Sequence, residues 1–190
     1  MMLSKFFSLN EMTKSRTATR LGIDNQPTEF HIKRMTALCQ NVLDPVREHY
    51  GVPFSPSSGY RDLDLNSAIG GAKGSQHVLG EAADIEVPGV SNYELAKWIE
   101  INLDYDQLIL EFYNASEPDS GWVHVSYKEK GNRKQALSYI NGNYINGIDI
   151  SQDRLSSRAA PSSSDVRKGG LVVCLLNFFA TLCRKEKTND

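Results

Sequence analysis

Ile32, Met35, Leu38, Val42 and Val46 recur at three- and four-residue steps. That is one face of a 3.6-residue period and predicts a helix, with the Pro27-Thr28 pair supplying its cap and Gly51 its end. Pro45 predicts a kink or a fresh helical start after Asp44. Upstream, residues 1–26 read as a polar leader with a few apolar anchors. Residues 52–60 carry two prolines and three serines around Phe54, which predicts extended chain leading to Arg61. Leu63 opens a short helix stopped by Gly70-Gly71. Ser91 and Glu94 have the spacing of a capping box, and Leu95, Trp98 and Ile99 line one face, so a helix is expected over residues 92–103.

Period-two alternation marks residues 82–87, 107–113 and 122–127 as strands, with 114–121 as a connecting turn. Helices that precede the strands, without regular βαβ alternation, favour an α+β domain with an antiparallel sheet flanked by helices. A local repeat, Tyr139-Ile140-Asn141-Gly142 and Tyr144-Ile145-Asn146-Gly147, reads as turn chemistry. Beyond Asp149 the composition shifts to Ser, Arg, Ala and Pro. We therefore expect one domain over residues 1–150, a flexible linker over 151–168 and an apolar tail segment with a basic end over 169–190.

Composition narrows the class. Of 190 residues, 40% are apolar and 23% charged, ordinary globular usage that permits a buried core. A net charge of −2 with scattered Lys and Arg argues against nucleic acid as a partner. Cys39, Cys174 and Cys183 form neither a C-x-x-C pair nor a framework, so disulfides are not the scaffold. Leu3, Phe6, Phe7 and Leu9 are too broken for the apolar core of a signal peptide, which predicts cytoplasmic synthesis. The apolar run 171–183 is shorter than the roughly 20 residues that span a bilayer. Followed by Arg184 and Lys185, it suits packing on the domain or lying on a membrane. A monomer is expected.

The chemistry concentrates in Ser75-Gln76-His77-Val78-Leu79-Gly80-Glu81-Ala82-Ala83-Asp84, where a turn at Gly80 lets a histidine and a carboxylate converge. Zinc accepts both donor types, and a catalytic site needs three protein ligands and one open position. In Trp122-Val123-His124-Val125-Ser126, alternation puts His124 on the face opposite the valines, making it the best third ligand. His31 and His49 sit in or beside the polar face of the first long helix, where a solvated histidine is the ordinary expectation. Taken singly, His77 and His124 also suit ordinary hydrogen-bonded roles, and spacing alone leaves both readings open.

These residues resemble S-x-H-x-x-G-x-A-x-D, the signature of zinc D-Ala-D-Ala carboxypeptidases and L-alanyl-D-glutamate endopeptidases of peptidoglycan. The resemblance extends to Ser57-Ser58-Gly59-Tyr60-Arg61 and Gly121-Trp122-Val123-His124-Val125-Ser126, and looks like the phage-type branch. It implies a fold like that of hedgehog domains and DD-peptidases, with one zinc ion per chain on His77, Asp84 and His124. It also implies hydrolysis of an amide bond in stem peptides, after release to the cell wall or as part of a virion. A non-catalytic wall-binding module on the same scaffold is the alternative.

Many relatives carry Glu or Asp three residues before the last histidine, where this chain has Gly121. Glu111, ending the apolar run Leu108-Ile109-Leu110, is the preferred general base, and hedgehog domains carry a glutamate on this strand. Asp119 is the alternative, and a structural role for Glu111 stays open. Arg61 matches the arginine of the family's Y-R motif and would hold the scissile carbonyl or a substrate carboxylate, unless it pairs with Asp62 or Asp64. Ser75 and Gln76 would orient His77 or touch peptide, and Trp122 and Tyr60 would wall the groove or pack in the core.

Overall fold

The computed structural model describes residues 1–140 and 142–149. The linker and tail expected beyond them, including the apolar run 171–183, lie outside the described residues. Short helices come first: α1 (Leu9–Thr13), α2 (Arg16–Leu21), α3 (Glu29–Leu38), α4 (Asp44–Tyr50) and α5 (Leu63–Ala68). Strand β1 (Ala82–Ile85) and helix α6 (Asn92–Asn102) follow, then β2 (Gln107–Glu111), β3 (Trp122–Ser126), β4 (Gln135–Ile140) and β5 (Asn143–Asn146).

One expectation is corrected at the N-terminus, and the fresh helical start expected around Pro45 is found at Asp44. The stretch read as a polar leader holds α1 and α2, and buries Leu3, Phe7 and Met12 in the core. A reciprocal capping box at Ser8 and Glu11 starts α1. The helix opened at Thr28 bulges into one π-helical turn over Cys39–Leu43 before α4. Pro45 has no N–H to donate, and the ladder slips so that Asp44 N–H bonds to the Cys39 carbonyl. Gly51 then ends α4 in the left-handed conformation, at φ 66°.

The strands make one mixed sheet in the order β1-β3-β2-β4-β5. An α+β fold is present, but the sheet is not purely antiparallel: β2 and β4 run parallel. After β3 the chain returns to the start of β2, where Lys134 and Gln135 N–H groups bond to the Tyr105 and Asp106 carbonyls. From there β4 can only run alongside β2. The Asn-Gly repeat is correspondingly more than turns, because its residues build β4, β5 and, with Gly142 at φ 80°, the bend between them.

The sheet's two faces have different uses. Ala83, Ile85, Leu108, Leu110, Val123 and Val125 face the helices and join Met35, Leu38, Leu95 and Ile99 in the main core. The alternate residues face the other way. Register sets Asp84 and Ile109 on either side of His124, and Glu111 between Trp122 and Tyr139.

Candidate metal centre

His77 sits in the turn before β1, buried to 2% exposure. Its Nδ1 lies 2.7 Å from the Gly59 carbonyl, which can only accept, so Nδ1 carries the proton. In the neutral imidazole, Nε2 is then a bare lone pair. That lone pair faces Asp84 Oδ1 and His124 Nδ1, each at 3.2 Å, and these two are 2.9 Å apart. Ligand atoms about 2.0–2.2 Å from a tetrahedral zinc ion lie roughly 3.3 Å from one another, so the triangle has the dimensions of a tetrahedral face. The donors also fit chemically, since two imidazole nitrogens and a carboxylate oxygen converge where one cation would satisfy all three.

Protonation states agree. Burial holds the His77 imidazole down to about 4, so it is neutral near pH 7. Burial pushes the Asp84 carboxyl up, but its contacts with the two imidazoles outweigh that and keep it well below the usual carboxylate range. Arg61 grips the other Asp84 oxygen, Nη2 to Oδ2 at 2.9 Å, while its Nε donates to Ser58 Oγ. The guanidinium thus pairs with Asp84 rather than with Asp62 or Asp64, and orients the carboxylate from outside the triangle.

The Gly59 carbonyl that aims His77 is itself held from the N-terminal segment. Tyr60 N–H donates to the Met12 carbonyl at 2.7 Å. A Cβ on Gly59 would overlap that same oxygen. The helix at residues 9–13 is therefore part of the site's support, and the Ser8-x-x-Glu11 spacing was the sequence signal for it.

A model of the Peptidase M15 family matches residues 5–126. The chain belongs to this family. No curated protein matches it. M15 peptidases are zinc-dependent metallopeptidases, and the buried His77, Asp84 and His124 offer this M15 chain a metal-binding cluster.

A cleft of about 660 Å³ opens over the cluster, and Arg61, Ser75, Gln76, Glu111 and Trp122 all line it. Tyr60 does not wall the cleft of this M15 peptidase: it is 6% exposed, and its ring packs 4.8 Å from His31. His31 helps cap α3 through Thr28, and His49 stacks on Trp98, so neither joins the cluster. Gln76 orients no histidine, since its amide nitrogen donates to Asp106 Oδ2 at 2.8 Å.

The two carboxylates weighed as base have different surroundings. Asp119 is exposed on the 113–120 loop and does not line the cleft. Glu111 ends β2 inside the cleft, on the same sheet face as His124. Burial, reinforced by the Asp84 charge and opposed by His124, pushes its carboxyl up to about 7. Sequence reading missed part of the lining. Phe112, Lys128, Arg133, Tyr139 and Tyr144 also face the cleft, the last two hidden because β4 and β5 read as turns.

Proposed function

We propose that this M15 peptidase hydrolyses an amide bond in peptidoglycan stem peptides, with D-residues near the scissile bond, as a phage or prophage lysin. It would act on the wall after release or as a virion component. The reading rests above all on one observation, the cation-shaped triangle of His77, Asp84 and His124 beside a half-buried Glu111 in an open cleft.

His77 Nε2, Asp84 Oδ1 and His124 Nδ1 would hold one zinc ion. When bound, zinc polarises the scissile carbonyl and makes water acidic enough to attack near neutral pH. Glu111 takes the proton from the attacking water onto its carboxylate. It then delivers that proton to the leaving nitrogen as the C–N bond breaks, leaving a carboxylic acid and an amine. In the metal-free protein burial raises this carboxyl to about 7, toward the range in which a group both takes and returns a proton near neutral pH. Arg61 fixes the Asp84 carboxylate, and the Gly59 carbonyl fixes the His77 ring, so both ligands are set in advance. A wall-binding module without hydrolysis drew its support from Gly121, and Glu111 supplies the carboxylate that position lacks.

Purified protein incubated with peptidoglycan should release new amino termini and carry one zinc ion per chain. Chelation or His77→Ala should abolish release, and undiminished release by His77→Ala would remove the assignment.

A further inference from the structure

The cleft's two ends differ in chemistry. The C-terminal end of β2 and the start of β3 carry Phe112 and Trp122, ring centroids 5.1 Å apart, and Tyr139 stands 4.7 Å from Phe112. At the opposite end, where β2 and β4 begin and β3 finishes, Lys128 and Arg133 line the cleft.

These cations are anchored from beneath. Asp106, fully buried, accepts from Arg133 Nη2 at 2.6 Å and pairs with Lys128 Nζ at 3.2 Å. Gln76 Nε2 donates to the same carboxylate at 2.8 Å. Burial pushes Asp106 up, yet these donors bring it down to about 2, so it is charged at every working pH. Nearby Glu81 is taken by Arg34 at 2.8 Å. Two cations on one carboxylate leave one positive charge in surplus, on side chains 34% and 50% exposed. Gln76 also lines the cleft, and its Oε1 is a buried acceptor with no hydrogen-bond partner. A surplus cation beside an unfilled acceptor suits a carboxylate flanked by a peptide N–H.

We infer that Lys128 and Arg133, held by Asp106, receive a carboxylate of the substrate peptide beside Gln76. This rests on the peptidase reading and adds to it a direction along the cleft. Asp106, which holds both cations, precedes Ile109, the partner of His124, by three residues, or about 10 Å of strand. The carboxylate would therefore sit within about three residues of the scissile bond. Both cations lie beyond residue 126, where the family match ends.

The test uses zinc-loaded Glu111→Gln protein and a synthetic stem tetrapeptide, together with derivatives in which one carboxylate at a time is a carboxamide. Calorimetry should find one derivative bound about tenfold more weakly than the parent, the scale of a charge-assisted hydrogen bond. Adding Lys128→Gln or Arg133→Gln should collapse that ratio toward unity. A purely structural role would weaken every peptide alike and leave the ratio intact. Arg133→Gln strips Asp106 of its main partner, so Lys128→Gln, which keeps that pair, guards against misfolding. Equal binding of all derivatives, no binding at all, or a ratio that survives in folded Lys128→Gln would each overturn the inference. If the parent protein cuts nothing but keeps the preference, hydrolysis fails while the carboxylate receptor stands.

Discussion

Gly121 lies against the backbone of Glu111 and Phe112. Gly121 has φ +70°, and a Cβ there would overlap the Glu111 carbonyl oxygen and come within 2.8 Å of the Phe112 carbonyl carbon. An acid at position 121 would clash with this chain's backbone, which supports the proposal that Glu111 on the neighbouring strand is the proton acceptor. Glu111→Gln should therefore lower the release of amino termini by about 10²–10⁴-fold, the usual share of a general base, while zinc stays bound. A second readout follows from the raised carboxyl. A group whose folded pKa exceeds its unfolded value favours the fold at low pH and loses that contribution as pH climbs through the folded value. For Glu111 the loss runs from 4.5 to about 7, and Gln does not titrate. In metal-free protein, Glu111→Gln should gain stability over the parent across that window, reaching about 1–3 kcal/mol at pH 8. Denaturant midpoints that do not diverge with pH would remove the raised carboxyl from the account.

Element by element, support for the site runs through the N-terminal helices. Phe7 is fully buried and packs 5.3 Å from Phe54, and Asp44 binds the loop before α1 through Ser4 and Lys5. Phe7→Ala should cost about 3–5 kcal/mol. Because α1 carries the Met12 carbonyl that holds Tyr60, zinc affinity should fall as well. A variant destabilised by less than 1 kcal/mol with unchanged zinc affinity would mean that α1 is a passive appendage. This dependence was not legible in the sequence, since a five-residue helix is too short to display a period and only its capping box announces it. By contrast α6 was plain, its Ser91 hydroxyl accepting from Glu94 N–H as the spacing predicts. Strand β3 was plain too, with valines on one face and the site on the other. Strand β4 was hidden because both of its faces are covered: Ser138 is fully buried and donates to the Gly147 carbonyl, which removes the polar-apolar contrast. The metal cluster could be named from its motif, but the contacts that hold its ligands could not. Gly59 acts through a backbone carbonyl, and Arg61 finds Asp84 23 residues away, a pairing that only the folded chain brings close.

Across the whole molecule, the triangle ties together pieces that chain connectivity leaves separate. His77 and His124 are 47 residues apart, and Asp84 stands on strand β1, which among the described residues pairs within the sheet only with β3. An unfolded chain has no such triangle, so a metal bound there binds the native state and stabilises it by mass action. Zinc at about a thousand times its dissociation constant contributes roughly 4 kcal/mol. In a domain of this size that corresponds to a rise in Tm of about 10 °C. Adding zinc to chelator-treated protein should produce that rise, and Asp84→Asn, which keeps the shape of the side chain but removes its charge, should suppress most of it. Asn also leaves Arg61 facing a neutral amide, so the variant's own midpoint falls before any metal is added. The informative quantity is accordingly the zinc-induced increment. If wild type and Asp84→Asn gained equally, the ion would be stabilising the fold from some other place, and the three side chains would be a hydrogen-bonded cluster of the core.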